Sequence, residues 1–157
     1  MKTEPSEYSI DDLIAQQHPE HWDGVRNYEA RNIMQSMKVG DLAFFYHSNC
    51  KPSPGIVGIA MIVKPAYDDH TALDPDNKHY DPKSTADLNR WQMVDVDLVE
   101  KFDSMLTLGE LKERARDGDK VIAGMALLNR MRLSVTRVTS EEWEHVSAIA
   151  AATTAAT

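Results

Sequence analysis

The sequence predicts an α+β fold: a small, curved mixed β-sheet or partly open β-barrel surrounded by short helices. Three observations carry that reading. Apolar residues alternate over 42–47 and 91–102 and run unbroken on both faces of 56–63, as in two half-buried strands and a central one. Capping signatures at Ser9, Thr107 and Thr139 open helices among them. No glycine-rich phosphate loop follows a strand, so a doubly wound nucleotide-binding sheet does not fit.

The elements follow in order. The stretch before Pro5 is extended, because a residue preceding proline avoids the helical region. Ser9 caps a first helix with Asp12 three residues on, and Pro19 limits it. A second helix is expected over 27–37, where Ala30, Ile33, Met34 and Met37 recur at helical spacing. The turn Val39-Gly40-Asp41 leads into strand 42–47, with Leu42, Phe44 and Tyr46 on one face and Ala43, Phe45 and His47 on the other. Turn residues fill 48–55, and Gly58 within the next strand marks a bulge or a close backbone approach. A long Asp/Pro-rich connection spans 64–90, a length that points to function. After strand 91–102, Thr107 and Glu110 form a capping box for a short helix through Leu111. One helical turn is expected within 123–128, a last strand over 133–138, and a final helix after Thr139. The Ala/Thr-rich stretch from Ser147 reads as frayed, so the domain is set at 1–147 and a flexible tail at 148–157.

The 157 residues suit one domain, and the 42% apolar and 27% charged fractions are those of a globular protein. No apolar run is long enough to cross a bilayer, and Met1-Lys2-Thr3-Glu4-Pro5 lacks the apolar core of a signal peptide. A single cysteine, Cys50, excludes an internal disulfide and a multi-cysteine zinc site. The expectation is a cytoplasmic protein, nuclear in a eukaryote, without membrane association. A net charge of −8 excludes indiscriminate coating of nucleic acid, which depends on neutralising phosphates. The charge is uneven: residues 120–140 hold Lys120, Arg130, Arg132 and Arg137 and no acid. A positive patch on an acidic body suits selective capture of a nucleotide.

Catalytic chemistry is weakly signalled, and no catalytic residue, metal or cofactor is expected. His18 and His21 flank Pro19, which breaks the helix that would align them on a metal. His70 and His79 fall in the acidic connection and are expected to be exposed. Cys50 follows His47 by three residues among turn residues, without a sign of the oxyanion hole a thiol nucleophile needs. Asp95 and Asp97 share a strand face whose reverse is apolar, the pattern of a solvated side.

The segment 22–32 and its answer at 44–50 are richer. Trp22, Tyr28, Phe45, Tyr46 and Trp91 bring aromatic faces that stack on bases; any one of them is more often core, and their company is what points to a ligand. Asn27, His47, Ser48 and Asn49 bring groups that read a base edge, and Arg26 and Arg31 bring charge for phosphate.

The chain closely resembles the EVE domain family. The resemblance rests on Lys2-Thr3-Glu4-Pro5 with Tyr8-Ser9, Trp22-Asp23-Gly24-Val25-Arg26-Asn27-Tyr28, Lys38-Val39-Gly40-Asp41, Phe45-Tyr46-His47-Ser48-Asn49-Cys50, Pro54-Gly55-Ile56-Val57-Gly58, Tyr80-Asp81-Pro82-Lys83-Ser84, Arg90-Trp91 and Arg132-Leu133-Ser134-Val135. The stretch 116–124 and the residues after Val146 lie outside it. The resemblance implies a PUA-like sheet or barrel and a non-catalytic module that reads a modified cytosine, of methyl or hydroxymethyl type, by accepting a flipped base in an aromatic pocket. Its partner would be nucleic acid, DNA ahead of RNA. On this sequence the implied ligand contacts are Trp22, Asn27, Tyr28, His47, Ser48, Asn49 and Trp91, and the implied phosphate contacts are Arg26, Arg31, Lys51 and Arg132. The alternatives are a hydrolase acting on a modified nucleoside or small amide, and an RNA-binding or small-ligand sensor domain.

Overall fold

Five strands form one mixed sheet in the order β1-β3-β4-β5-β2, in a computed structural model that describes residues 1–156. The chain runs β1 (Lys2–Thr3), α1 (Ile10–Ala15), β2 (Glu20–Trp22), α2 (Tyr28–Gln35), β3 (Leu42–His47), β4 (Gly55–Asp68), a 3-10 turn (His70–Leu73) and β5 (Gln92–Thr107). Four helices follow: α3 (Leu108–Arg116), α4 (Lys120–Ala123), α5 (Ala126–Asn129) and α6 (Ser140–Ala155). β1 runs parallel to β3, and the other neighbours are antiparallel.

Local chemistry explains the helix starts. Ser9 with Asp12 and Thr107 with Glu110 each close a reciprocal capping box, satisfying orphan N–H groups of the first turn. Thr139 caps α6 one way only, accepting from Glu142 N–H. Asn27 is not within α2; it caps it, through a bond from Ala30 N–H to Oδ1 (3.0 Å).

Strand alternation sorts the apolar residues onto two faces. Phe45, Val57, Ala60, Val94 and Val96 face α1 and α2 with Trp22, whereas Phe44, Tyr46, Ile59 and Leu106 face α3 to α6. Both faces are therefore buried. Curvature comes from irregular pairing of β4 with β5, whose register shifts four times between Ile56 and Tyr67. One shift surrounds Gly58, where an added Cβ would lie 2.2 Å from Glu100 O, the close approach expected there.

Several expectations need correction. β4 runs five residues past Val63, through Pro65, and β5 runs five past Phe102, because each extended half finds a partner in the other. The three-residue β2 is too short to show a period in sequence, and α3 continues beyond Leu111 to Arg116. Residues 133–138 form no strand: Leu133 and Val135 reach the core, but the described backbone contact to the sheet edge is Lys2 N–H to Ser134 O (3.0 Å). The Ala/Thr stretch is helical to Ala155, with Ile149 and Ala150 buried, so packing and alanine's helix propensity order a terminal stretch expected to fray.

Candidate nucleic-acid interface

Between the chain start, the turn after β2 and the loop after the 3-10 turn lies an open cleft of about 780 Å³. Trp22, Val25 and Tyr8 give it apolar walls, and Glu4, Asp23 and Arg26 give it polar groups. Trp22 is 8% exposed and sits edge-on to Phe45 (5.4 Å, 90°), which fixes the indole plane. The following turn depends on Gly24: its φ of +76° suits glycine, and an added Cβ would lie 2.6 Å from the His79 ring. His79 is thus half-buried against this turn and not exposed as expected, and burial pushes its pKa down; His70 is exposed.

Asp69, fully buried, organises the cleft from beneath. Its Oδ2 accepts from Gly24 N–H (2.8 Å) and Arg26 Nη1 (2.9 Å), and its Oδ1 accepts from Thr71 N–H (2.9 Å) and the Thr71 hydroxyl (2.5 Å). Burial would raise the Asp69 pKa, but these donors outweigh it and hold the carboxyl below its ordinary range. Arg26 also donates to His79 O (2.8 Å) and Thr71 Oγ1 (3.0 Å), so its guanidinium is a clamp across the cleft base. Asp23 moves the other way: burial first, then the charges of Asp69 and Glu20, raise its pKa.

The other aromatic pair lies behind Arg26. Trp91 (6% exposed) donates its indole N–H to Asp81 Oδ2 (2.8 Å) and is covered by Tyr28 (4.9 Å, 23°). Arg26 lies against Trp91 (5.6 Å) and Arg31 against Tyr28 (4.8 Å), giving a laminated stack. Arg90 fastens it by donating to Asp81 Oδ2 (2.6 Å) and Tyr28 Oη (3.1 Å), and this guanidinium, with other donors, holds Asp81 far below its ordinary range. Arg31 is further tied to Arg90 O (2.9 Å) and Asn32 Oδ1 (2.8 Å).

The run after β3 holds the chain start in place. His47 Nε2 accepts from Ile10 N–H (3.1 Å), Ser48 N–H donates to Thr3 O (2.9 Å) and Asn49 Nδ2 donates to Glu4 Oε1 (2.8 Å). These three side-by-side residues therefore set the position of Thr3 and Glu4 in the cleft. Cys50 Sγ turns to Ser53 O (3.3 Å) while the His47 ring nitrogen is engaged with Ile10, so the two do not form a thiol–imidazole pair. Lys51 is exposed beyond this run. Asn27 and Arg132 line a separate shallow depression of about 300 Å³. Glu4, Tyr8, Asp69 and His79 were not read as site residues, although Glu4 and Tyr8 stand in motifs of the resemblance; the length of the 64–90 connection was the one signal pointing toward the last two.

Residues 1–149 match the model of the EVE domain family. The chain belongs to that family. Thymocyte nuclear protein 1 of Homo sapiens is 45% identical over 161 residues, spanning 93% of this chain and 70% of that protein. A hypothetical protein from Leishmania major superposes with a TM-score of 0.89 at 47% identity, covering 98% of this chain and 93% of the other. The human THYN1 protein in complex with 5-methylcytosine-containing DNA superposes with a TM-score of 0.91 at 44% identity, covering 96% of this chain and 95% of the other. The curved mixed sheet of this EVE domain is the PUA-like architecture expected. No helix among its described residues is long and apolar enough to cross a membrane.

A second large depression, about 710 Å³, opens on the opposite sheet face beside Phe44, Leu42 and Trp143. Trp143 stacks closely on Phe44 (3.9 Å, 18°). Carboxylates, an arginine and aromatic rings line both depressions; the cleft at Trp22 differs in that its arginine, Arg26, is fixed by the buried Asp69 carboxylate (2.9 Å).

Proposed function

We propose that this EVE domain is a non-catalytic reader of modified cytosine in DNA, seating an extruded base in the Trp22 cleft. The observation that carries the reading is the meeting of an indole wall with carboxylates in one cleft, in a chain that superposes on a relative bound to 5-methylcytosine DNA. Cytosine presents an exocyclic amine that donates, and Glu4 and Asp23 supply acceptors. Val25 and Trp22 offer apolar contact for a 5-methyl group. Arg26, braced by Asp69, orients the wall, while Asn49 holds Glu4 and Ser48 holds Thr3 beside it. Tyr28 and Trp91 support Arg26, and Arg31, Lys51 and Arg132 remain candidates for phosphate. Cytoplasmic or nuclear placement follows from a DNA partner.

The energetics set the size of the effect. Extrusion costs a few kcal/mol and stacking returns about 1–3 kcal/mol per base, so phosphate contacts supply the remainder. Burying one methyl group is worth about 0.8 kcal/mol, or roughly fourfold in affinity. Duplexes carrying one plain, methylated or hydroxymethylated cytosine, titrated at moderate salt, test the reading. A methyl preference of at least that size is expected; equal affinity for all three refutes it.

A further inference from the structure

The turn Arg130-Met131-Arg132 is not absorbed by the base cleft, yet it borders it. Leu133 N–H closes the turn onto Arg130 O (3.1 Å), and buried Leu133 and Val135 anchor its exit. Lys2, which lines the cleft, donates from Nζ to Met131 O (2.8 Å). The backbone is thus braced while the Met131 side chain stands out, 49% exposed. A solitary exposed methionine is ordinary on a protein surface. This one has a guanidinium on either side, in a stretch, 120–140, that contains no acid. Arg130 is shared with Glu29 (2.6 Å) in an exposed pair, which a phosphate can replace; Arg132 bonds to no other described residue.

The turn also continues the cleft. Arg26 lines the cleft and Asn27 the shallow depression under Arg130 and Arg132; Ser134 and Leu133 repeat that step on the facing strand of chain. A nucleotide seated at Trp22 therefore leads its own strand across this turn. A duplex that has lost a base from its stack presents there a hole with a phosphate on each side. Apolar wedges, methionine among them, fill such holes, and an unbranched thioether adapts to the gap.

Resting on the modified-cytosine reading, we infer that Met131 is the wedge that enters the duplex in place of the extruded base, with Arg130 and Arg132 on the flanking phosphates. The occupant is duplex DNA at the extruded nucleotide.

The test uses the full chain and a duplex holding one 5-methylcytosine next to 2-aminopurine, whose fluorescence rises when its neighbour leaves the stack. Wild-type protein raises the signal. Met131→Ala is expected to lose most of that rise and to weaken duplex binding about tenfold, reflecting the unstacking it no longer offsets. It keeps the affinity for the same strand unpaired, and Met131→Leu restores duplex binding. Arg132→Ala weakens both substrates and lowers the salt slope by about 1. Unchanged fluorescence and duplex affinity in Met131→Ala, with methyl preference intact, overturn the wedge and leave the reader standing. Equal loss on unpaired and paired strands also overturns it. A wild-type protein indifferent to methylation in both substrates overturns the reader and the wedge together.

Discussion

Trp22 ends β2 and Trp91 immediately precedes β5, and both are nearly buried, yet the structure employs them differently. Trp91 is spent: its N–H goes to Asp81, one face to Tyr28, and the Arg26 guanidinium lies over its ring. Trp22 leans edge-on against Phe45, its indole N–H bonds to no described residue, and it borders the open cleft. An aromatic side chain becomes available for a ligand when the surrounding chain satisfies its packing from one side only. Asp69 joins the two regions, since its carboxylate holds Gly24 and Arg26 on the Trp22 side while its N–H donates to Trp91 O (3.0 Å).

That link yields the largest expected effect. Asp69→Ala leaves Arg26 unpaired over a buried site, at a cost of about 3–5 kcal/mol. A Tm lowered by roughly 10 °C should appear in thermal melts. A melt like that of the wild type would mean the two tryptophan regions are independent.

Conservative aromatic changes separate the two roles. Trp91→Phe keeps the stack but removes the donor to Asp81, costing about 1–3 kcal/mol of stability with methyl preference retained. Trp22→Phe should cost less than about 1.5 kcal/mol in stability. It should nevertheless weaken modified-base binding, within the roughly 1–3 kcal/mol that stacking supplies. Paired melts and titrations decide; the reverse pattern would assign the ligand wall to Trp91.

The smallest effect is in pH. Burial lowers the His47 pKa below its ordinary value of 6.5, and the ring must be neutral to accept from Ile10 N–H. The unfolded chain therefore binds the proton first. Stability is complete above about pH 6.5 and declines as pH falls toward the folded pKa, then levels for this group. His47→Gln should flatten that part of a Tm-against-pH curve, sharpening the view that this residue positions the cleft wall and does not touch the base.

Legibility tracked distance along the chain. Ser9 with Asp12 and Thr107 with Glu110 were readable because a cap is made with residues three positions away. Leu133 and Val135 mimicked a strand because alternation records burial but not whether a hydrogen-bonding neighbour exists. The cleft was half legible. Trp22 and Arg26 were read as site residues, whereas Glu4 and Tyr8 stood in a matching motif without a role and His79 lay in a connection with no local pattern.

By itself the sequence determined the two-faced strands, the helix starts, the acid-free basic stretch and the family, because each rests on residue type at short spacing. Tertiary structure alone decided which tryptophan borders the cleft, which arginine is a clamp and which loop aspartate lies at the base of the cleft. Those outcomes depend on contacts such as Arg26 to Asp69, between residues far apart in the chain, and no local pattern encodes which surfaces will meet when the sheet closes.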